Sequence, residues 1–213
     1  MDTPSAFQWD VRPVGPLQMN AVLVTAPAAG QAVLVDPGDE PERLIAWIRD
    51  SGCRLVALVA THGHFDHVGA AAAVGEAFGL PLRCHPDDVP MIRQMPLIQA
   101  GYGFPATTVP ALQPDLVDGA RVVLGDGWLE VAHIPGHAQG QVMFRLPGVA
   151  LVGDCLFAGS VGRTDLPGGD FATLEKSIRE RIYTLPDETI VVCGHGPDTT
   201  VGRERATNPY VRG

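Results

Sequence analysis

Leu55-Val56-Ala57-Leu58-Val59-Ala60-Thr61-His62-Gly63-His64-Phe65-Asp66-His67-Val68-Gly69 joins an unbroken apolar run to a loop that holds three histidines and an aspartate within six residues. The apolar run predicts a buried strand, and the alanine-rich segment after Val68 predicts a helix. The loop therefore sits at a strand-to-helix turn. Such a turn aims His62 and His64 one way, while Asp66 and His67, at the start of the helix, face a neighbouring spot. Four candidate ligands so closely spaced suit two metal ions, and a pattern this dense has a small false-positive risk.

Working outward toward the N-terminus, Ala21–Ala26 and Gln31–Asp36 are short apolar runs separated by Pro27-Ala28-Ala29-Gly30, the pattern of a β-hairpin with a longer loop. Asp39, with Glu42 three residues on and Pro41 in the first turn, predicts a capped helix to about Asp50 that buries Leu44, Ile45 and Ile48. Toward the C-terminus, Pro81–Cys84 reads as a short strand. His85-Pro86-Asp87-Asp88 then opens a long irregular passage to about Gly119, whose Met91, Met95, Leu97, Ile98, Tyr102 and Phe104 suit either satellite packing or else a substrate wall or dimer contact.

From Arg121 the pattern returns to strands: Arg121–Leu124, Trp128–Ile134, Gln141–Leu146, Val149–Val152 and finally Thr189–Cys193. Between them Asp170 is placed to cap a helix with Phe171, Leu174, Ile178 and Ile182 on one apolar stripe. Strands followed by helices, twice over, predict an α+β fold of two sheets packed face to face with helices outside.

The length of 213 residues and the apolar fraction of 46% fit one domain over residues 1–213. A net charge of −9 argues against nucleic acid and anionic membranes as partners and favours a small-molecule enzyme. No apolar run approaches the ~18 residues of a membrane span, and the weakly signal-like segment Ala21–Ala29 reads as a strand. The four cysteines, Cys53, Cys84, Cys155 and Cys193, are far apart and form no Cys-x-x-Cys pair, which fits cytoplasmic residence without a disulfide framework.

Three further ligand candidates fall at strand ends beside glycines: His137 in Pro135-Gly136-His137, Asp154 in Val152-Gly153-Asp154, and His195 in Cys193-Gly194-His195-Gly196. His85 and His133 are taken as hydrogen-bonded structural residues, with His133 supporting the Pro-Gly-His loop. Cys155 is taken as a small buried residue. Asp36 is a candidate strut for the histidine loop. Arg163, Asp165, Arg203, Glu204 and Arg205 are expected to form an ion-pair network.

Asn20 with Asp36-Pro37-Gly38, the loop Thr61–Gly69, Pro135–Gly140, the run Gly153–Asp165 and the tail Gly194–Pro209 together resemble the metallo-β-lactamase fold superfamily, in particular its short, type II glyoxalase-like members. The resemblance covers nearly the whole chain. It implies an αββα sandwich. It also implies that His62, His64 and His137 hold one divalent ion, that Asp66, His67 and His195 hold a second, and that Asp154 bridges them. Zinc is the expected metal, with iron or manganese as alternatives compatible with imidazole and carboxylate donors.

Two divalent cations carry four positive charges; the carboxylates of Asp66 and Asp154 and a bridging hydroxide remove three. The remaining charge can polarise a carbonyl, the metals lower the pKa of water to about 7, and Asp66 can orient the hydroxide or relay its proton. The implied activity is hydrolysis of a small-molecule thioester such as an S-acyl glutathione. A mononuclear iron persulfide dioxygenase using His62, His137 and Asp154 is the alternative, and a lactam hydrolase stands third. Two features depart from the family: Ala138-Gln139-Gly140-Gln141 replaces a hydroxyl-bearing Thr-Pro-Gly-Ser, and 18 residues follow His195 where the long enzymes carry a helical domain that contacts glutathione.

Overall fold

The computed structural model describes residues 7–213; residues 1–6 of the expected domain lie outside the described residues. The first half runs β1 (Gln8–Val14), β2 (Met19–Ala26), β3 (Gln31–Val35), α1 (Pro41–Asp50), β4 (Arg54–Val59), α2 (Phe65–Val68), α3 (Ala71–Phe78), β5 (Leu82–Arg83), α4 (Val89–Gly101) and β6 (Leu112–Gln113). The second runs β7 (Arg121–Leu124), β8 (Gly127–His133), β9 (Val142–Leu146), β10 (Val149–Gly153), β11 (Leu156–Phe157), β12 (Ser160–Val161), α5 (Phe171–Ser177), β13 (Ile190–Cys193), β14 (Thr199–Thr200) and α6 (Val201–Thr207).

These strands form two six-stranded mixed sheets, ordered β1-β2-β3-β4-β5-β6 and β14-β13-β10-β9-β8-β7. From β3 to β6 the pairing is parallel, as is β10 with β13, while the hairpins are antiparallel. Parallel neighbours need crossovers, and helices α1, α3, α4 and α5 lie within them.

The alternation of side chains along each strand builds three apolar layers. Val22, Val24, Val33, Val35 and Val59 of the first sheet meet Leu129, Val131, Phe144 and Leu151 of the second in the central layer. Leu23, Leu34 and Leu58, pointing the other way, pack on Leu44, Ile48 and Val74 of α1 and α3. On the far side Ala132, Met143, Ala150 and Val191 receive Leu174, Ile178 and Ile182. Helix, sheet, sheet, helix is the expected αββα sandwich. Among the described residues no helix is long and apolar enough to cross a membrane.

Several local expectations are corrected. The passage from His85 to Gly119 is not wholly irregular: it contains the 13-residue helix α4, with Pro96 inside it. Its buried face is a single narrow stripe of Ile92, Met95 and Gln99, and an interior proline normally ends a helix, so neither periodicity nor punctuation announced it.

Asp39 does not cap α1. Glu40 occupies that position in left-handed backbone, φ 52°, without a side-chain cap bond. Its carboxylate accepts instead from Gly15 N (3.2 Å) and from Arg43 (2.8 Å). Leu44 and Ile48 are buried as expected, Ile45 is partly buried against the same core, and Trp47 joins the buried face.

Asp170 caps α5 by accepting from Thr173 N at 2.7 Å, as expected, but Phe171 stays exposed at 43%. The expected ion-pair network divides into separate pieces. Arg163 binds Asp165 through two 2.7 Å contacts, Arg205 reaches Asp187, and Glu204, 3.9 Å from Arg203, is fully buried and accepts from Thr199 Oγ1, Gly159 N and Asn208 Nδ2.

Candidate metal centre

β4, β8, β10 and β13 deliver their carboxyl ends to one edge of the sandwich, where Thr61–His67, His137, Asp154 and His195 follow them in sequence. Backbone bonds lock this edge across the two sheets: Val142 N donates to Thr61 O (2.8 Å) and Asn20 N to Gly194 O (2.7 Å). The Asn20 carboxamide further donates to the carbonyls of Cys193 and Gly196, fixing the turn around His195.

All seven expected ligand residues converge here. His64 Nδ1 lies 3.0 Å from His62 Nε2 and 2.8 Å from His137 Nε2. Next to them, His195 Nε2 is 3.2 Å from Asp66 Oδ2. Asp154 spans the two groups, with Oδ1 3.3 Å from His67 Nε2, and Oδ2 3.6 Å from His195 Nε2 and 3.7 Å from His137 Nε2. The turn separates the ligands as anticipated, His62 and His64 to one cluster, Asp66 and His67 to the other.

The outward nitrogens determine what the inward ones present. His137 Nδ1 faces Arg163 O at 2.7 Å and His195 Nδ1 faces Leu17 O at 3.0 Å; a carbonyl only accepts, so both Nδ1 atoms carry the proton. His67 Nδ1 donates to Asp36 Oδ2 at 2.9 Å. Thr61 Oγ1 gives its proton to Asp36 Oδ2 (2.7 Å) and so accepts from His62 Nδ1 (3.1 Å). In the neutral rings, four Nε2 lone pairs therefore point inward. Asp36, which also takes Thr61 N at 2.6 Å, is the expected strut and reaches both clusters.

Burial pushes His62 well below the usual imidazole range, helped by its neighbouring imidazoles, and pushes His64 down to about 4. At His67 burial acts in the same direction, but Asp154, Asp36 and Asp66 outweigh it and hold the ring well above its usual range. Burial opposes ionisation of Asp66, yet His67 and His195 keep its carboxyl below the ordinary range. Positive charge is drawn to the meeting point of the carboxylates.

The remaining expectations resolve simply. His133 supports the His137 loop by bonding Gln139 O through Nε2 at 2.8 Å and stacks on His85, ring centres 4.3 Å apart. Cys155 is fully buried, and burial raises its thiol far above the usual range. Asp88 had no sequence signal beyond a turn, yet it is 1% exposed and accepts from Gly63 N and Gly140 N.

Beside the centre a cavity of about 630 Å³ reaches Asp66, walled by Val14, Leu17, Phe65, Gln99 and Phe104. The passage of undecided role thus contributes both to the core, through Met95, and to this wall, through Phe104.

Gly194 is held to glycine by close approach, since a Cβ there would stand 2.1 Å from Asp154 Oδ1 and 2.8 Å from His67 Cε1. Gly194→Ala is expected to cost about 1–3 kcal/mol of stability, the usual penalty of overpacking, read as a lowered thermal midpoint; an unchanged midpoint would show that the site yields freely.

The Metallo-beta-lactamase superfamily matches residues 14–195. The chain is 36% identical over 208 residues to the hydroxyacylglutathione hydrolase GloC of Haemophilus influenzae, covering 95% of this chain and 97% of that one. Among solved structures, TTHA1623 in a di-iron-bound form superposes with a TM-score of 0.86 at 43% identity, covering 95% of this chain and all of that one. The BLEG-1 B3 metallo-beta-lactamase superposes at 0.87 with 37% identity, covering 97% and 100%. With a match of that extent resting on the fold and donor set described above, the chain belongs to the metallo-beta-lactamase superfamily.

Proposed function

We propose that this protein is a metal-dependent hydrolase of small-molecule thioesters, with His62, His64 and His137 holding one divalent ion, Asp66, His67 and His195 a second, and Asp154 between them. The observation that carries the metal assignment is electrostatic. His67 Nε2 and Asp154 Oδ1 are buried and lack a hydrogen-bond partner, although they face each other at 3.3 Å. Buried polar atoms are normally paired, and a converging set of imidazole nitrogens and carboxylate oxygens with two such atoms left unpaired fits a divalent cation bound among them. The donor set of imidazole and carboxylate fits zinc, iron or manganese. Zinc is our first choice, and the di-iron form of TTHA1623 makes iron the leading alternative.

Bound there, such ions acidify water and polarise a carbonyl oxygen. The chain's own contribution is placement. Asp66, 17% exposed at its side chain, faces the cavity and is positioned to orient the attacking water and take its proton. Phe65 and Phe104, ring centres 5.1 Å apart, wall the cavity beside it and suit the apolar part of an acyl group. The thioester reading is supported by the likeness to the hydroxyacylglutathione hydrolase. Cytoplasmic residence is supported by the four cysteines, all free thiols.

Protein purified without added metal is expected to hold two ions per chain and to cleave S-lactoylglutathione or a simpler thioester. One ion at full activity would remove the two-ion reading. A β-lactam assayed in parallel tests the reading that the BLEG-1 likeness favours; lactam turnover without thioester turnover would replace our assignment.

A further inference from the structure

We propose that Asp88 is a positioning residue that sets the separation of the two loops carrying His62, His64 and His137, and thereby the affinity of the three-histidine end for its ion. This rests on the metal assignment above but goes beyond it, because Asp88 contributes no ligand atom to either cluster.

Asp88 Oδ2 accepts from Gly63 N at 2.9 Å, between His62 and His64, and Oδ1 accepts from Gly140 N at 2.8 Å, three residues after His137. One carboxylate thus ties a loop of the first half to a loop of the second. Both contacts are charge-assisted and sheltered from water, the kind of bond that holds geometry. Burial pushes the Asp88 carboxyl up to about 6 while the two amides pull it down, so it is ionised at neutral pH.

The glycines at both ends permit the approach. A Cβ on Gly140 would lie 2.7 Å from Asp88 Cγ, and one on Gly63 3.1 Å from Asp88 Cβ. The same turn makes a second tie, the stack of His85 on His133. The other cluster is fastened differently, by Asp36 on His67 and Leu17 O on His195. Asp88 therefore acts on one end of the centre and not the other.

Asp88→Asn keeps the volume but turns an amide NH₂ toward one of the two N–H groups, breaking one tie. It is combined with His67→Ala, which leaves the three-histidine end, and separately with His64→Ala, which leaves the other. Zinc affinity is measured by chelator competition on folded, metal-stripped protein. The expected result is a loss of about 10- to 100-fold in the His67→Ala background and a change within about threefold in the His64→Ala background.

Equal losses in both backgrounds would mark Asp88 as generally structural and overturn the proposal, as would no loss in either. If circular dichroism shows that Asp88→Asn does not fold, Gly140→Ala, which pushes the loop off the carboxylate, is read by the same criterion and decides. A parent chain that binds no zinc would remove the metal assignment as well; a parent that binds two ions, with Asp88→Asn unaffected, removes only this inference.

Discussion

Asp154→Ala is expected to strip both ions from the centre and to lower thioester kcat/KM by at least about 10³-fold. Its two oxygens face both clusters, Oδ1 toward His67 and Oδ2 toward His137 and His195, all within 3.3–3.7 Å. With His62 of one group and His67 of the other it forms a further set of donor atoms within 4.8 Å of one another. If two cations are held as proposed, removing Asp154 would take away the negative charge that offsets their mutual repulsion. Polarisation of a carbonyl by such ions is worth several kcal/mol, and each 1.36 kcal/mol is a factor of ten in rate. Elemental analysis beside steady-state kinetics checks this. Retention of both ions with turnover within about tenfold of the parent would show that Asp154 does not bridge.

The second large effect separates hydrolysis from oxygen chemistry. His67→Ala is expected to reduce the metal content from two ions to one and to cut thioester hydrolysis by at least about 10²-fold, beyond the usual effect of disturbing a residue behind the ligands. His67 is fully buried with its Nδ1 committed to Asp36, which leaves Nε2 for the proposed ligand role. A mononuclear iron dioxygenase using His62, His137 and Asp154 would keep its ion in this variant. The parent enzyme is therefore assayed with a thioester and with a glutathione persulfide, under air and under nitrogen. Thioester cleavage should proceed equally in both atmospheres. Oxygen uptake with the persulfide, and no anaerobic thioester cleavage, would reverse the assignment.

The strands and the candidate ligands were legible in the sequence because both are local signals. An apolar run such as Leu55–Ala60 is buried whichever partners it finds, and the short apolar runs Ala21–Ala26 and Gln31–Asp36 marked β2 and β3, which are buried along nearly their whole length. His62, His64, Asp66 and His67 announce themselves by spacing alone; His137, Asp154 and His195 stand out by their place beside glycines at strand ends.

What only the tertiary structure decided depends on partners distant along the chain. Helix α4 buries one residue per turn and contains Pro96, so the burial of Ile92 and Met95 in the outer apolar layer, beside α2, rather than its own pattern makes it a helix. Trp47 joins Leu44 and Ile48 on the fully buried face of α1 with Ile45 partly buried beside them, and Glu40, not Asp39, stands at its N-terminus with its carboxylate on Gly15 N and Arg43. The protonated nitrogens of His62, His67, His137 and His195 are set by Thr61, Asp36, Arg163 and Leu17 respectively, up to 178 residues away along the chain. Asp88 carries the lesson furthest: in the sequence it is one acid in a turn, and only folding places Gly63, 25 residues before it, and Gly140, 52 residues after it, against its two oxygens.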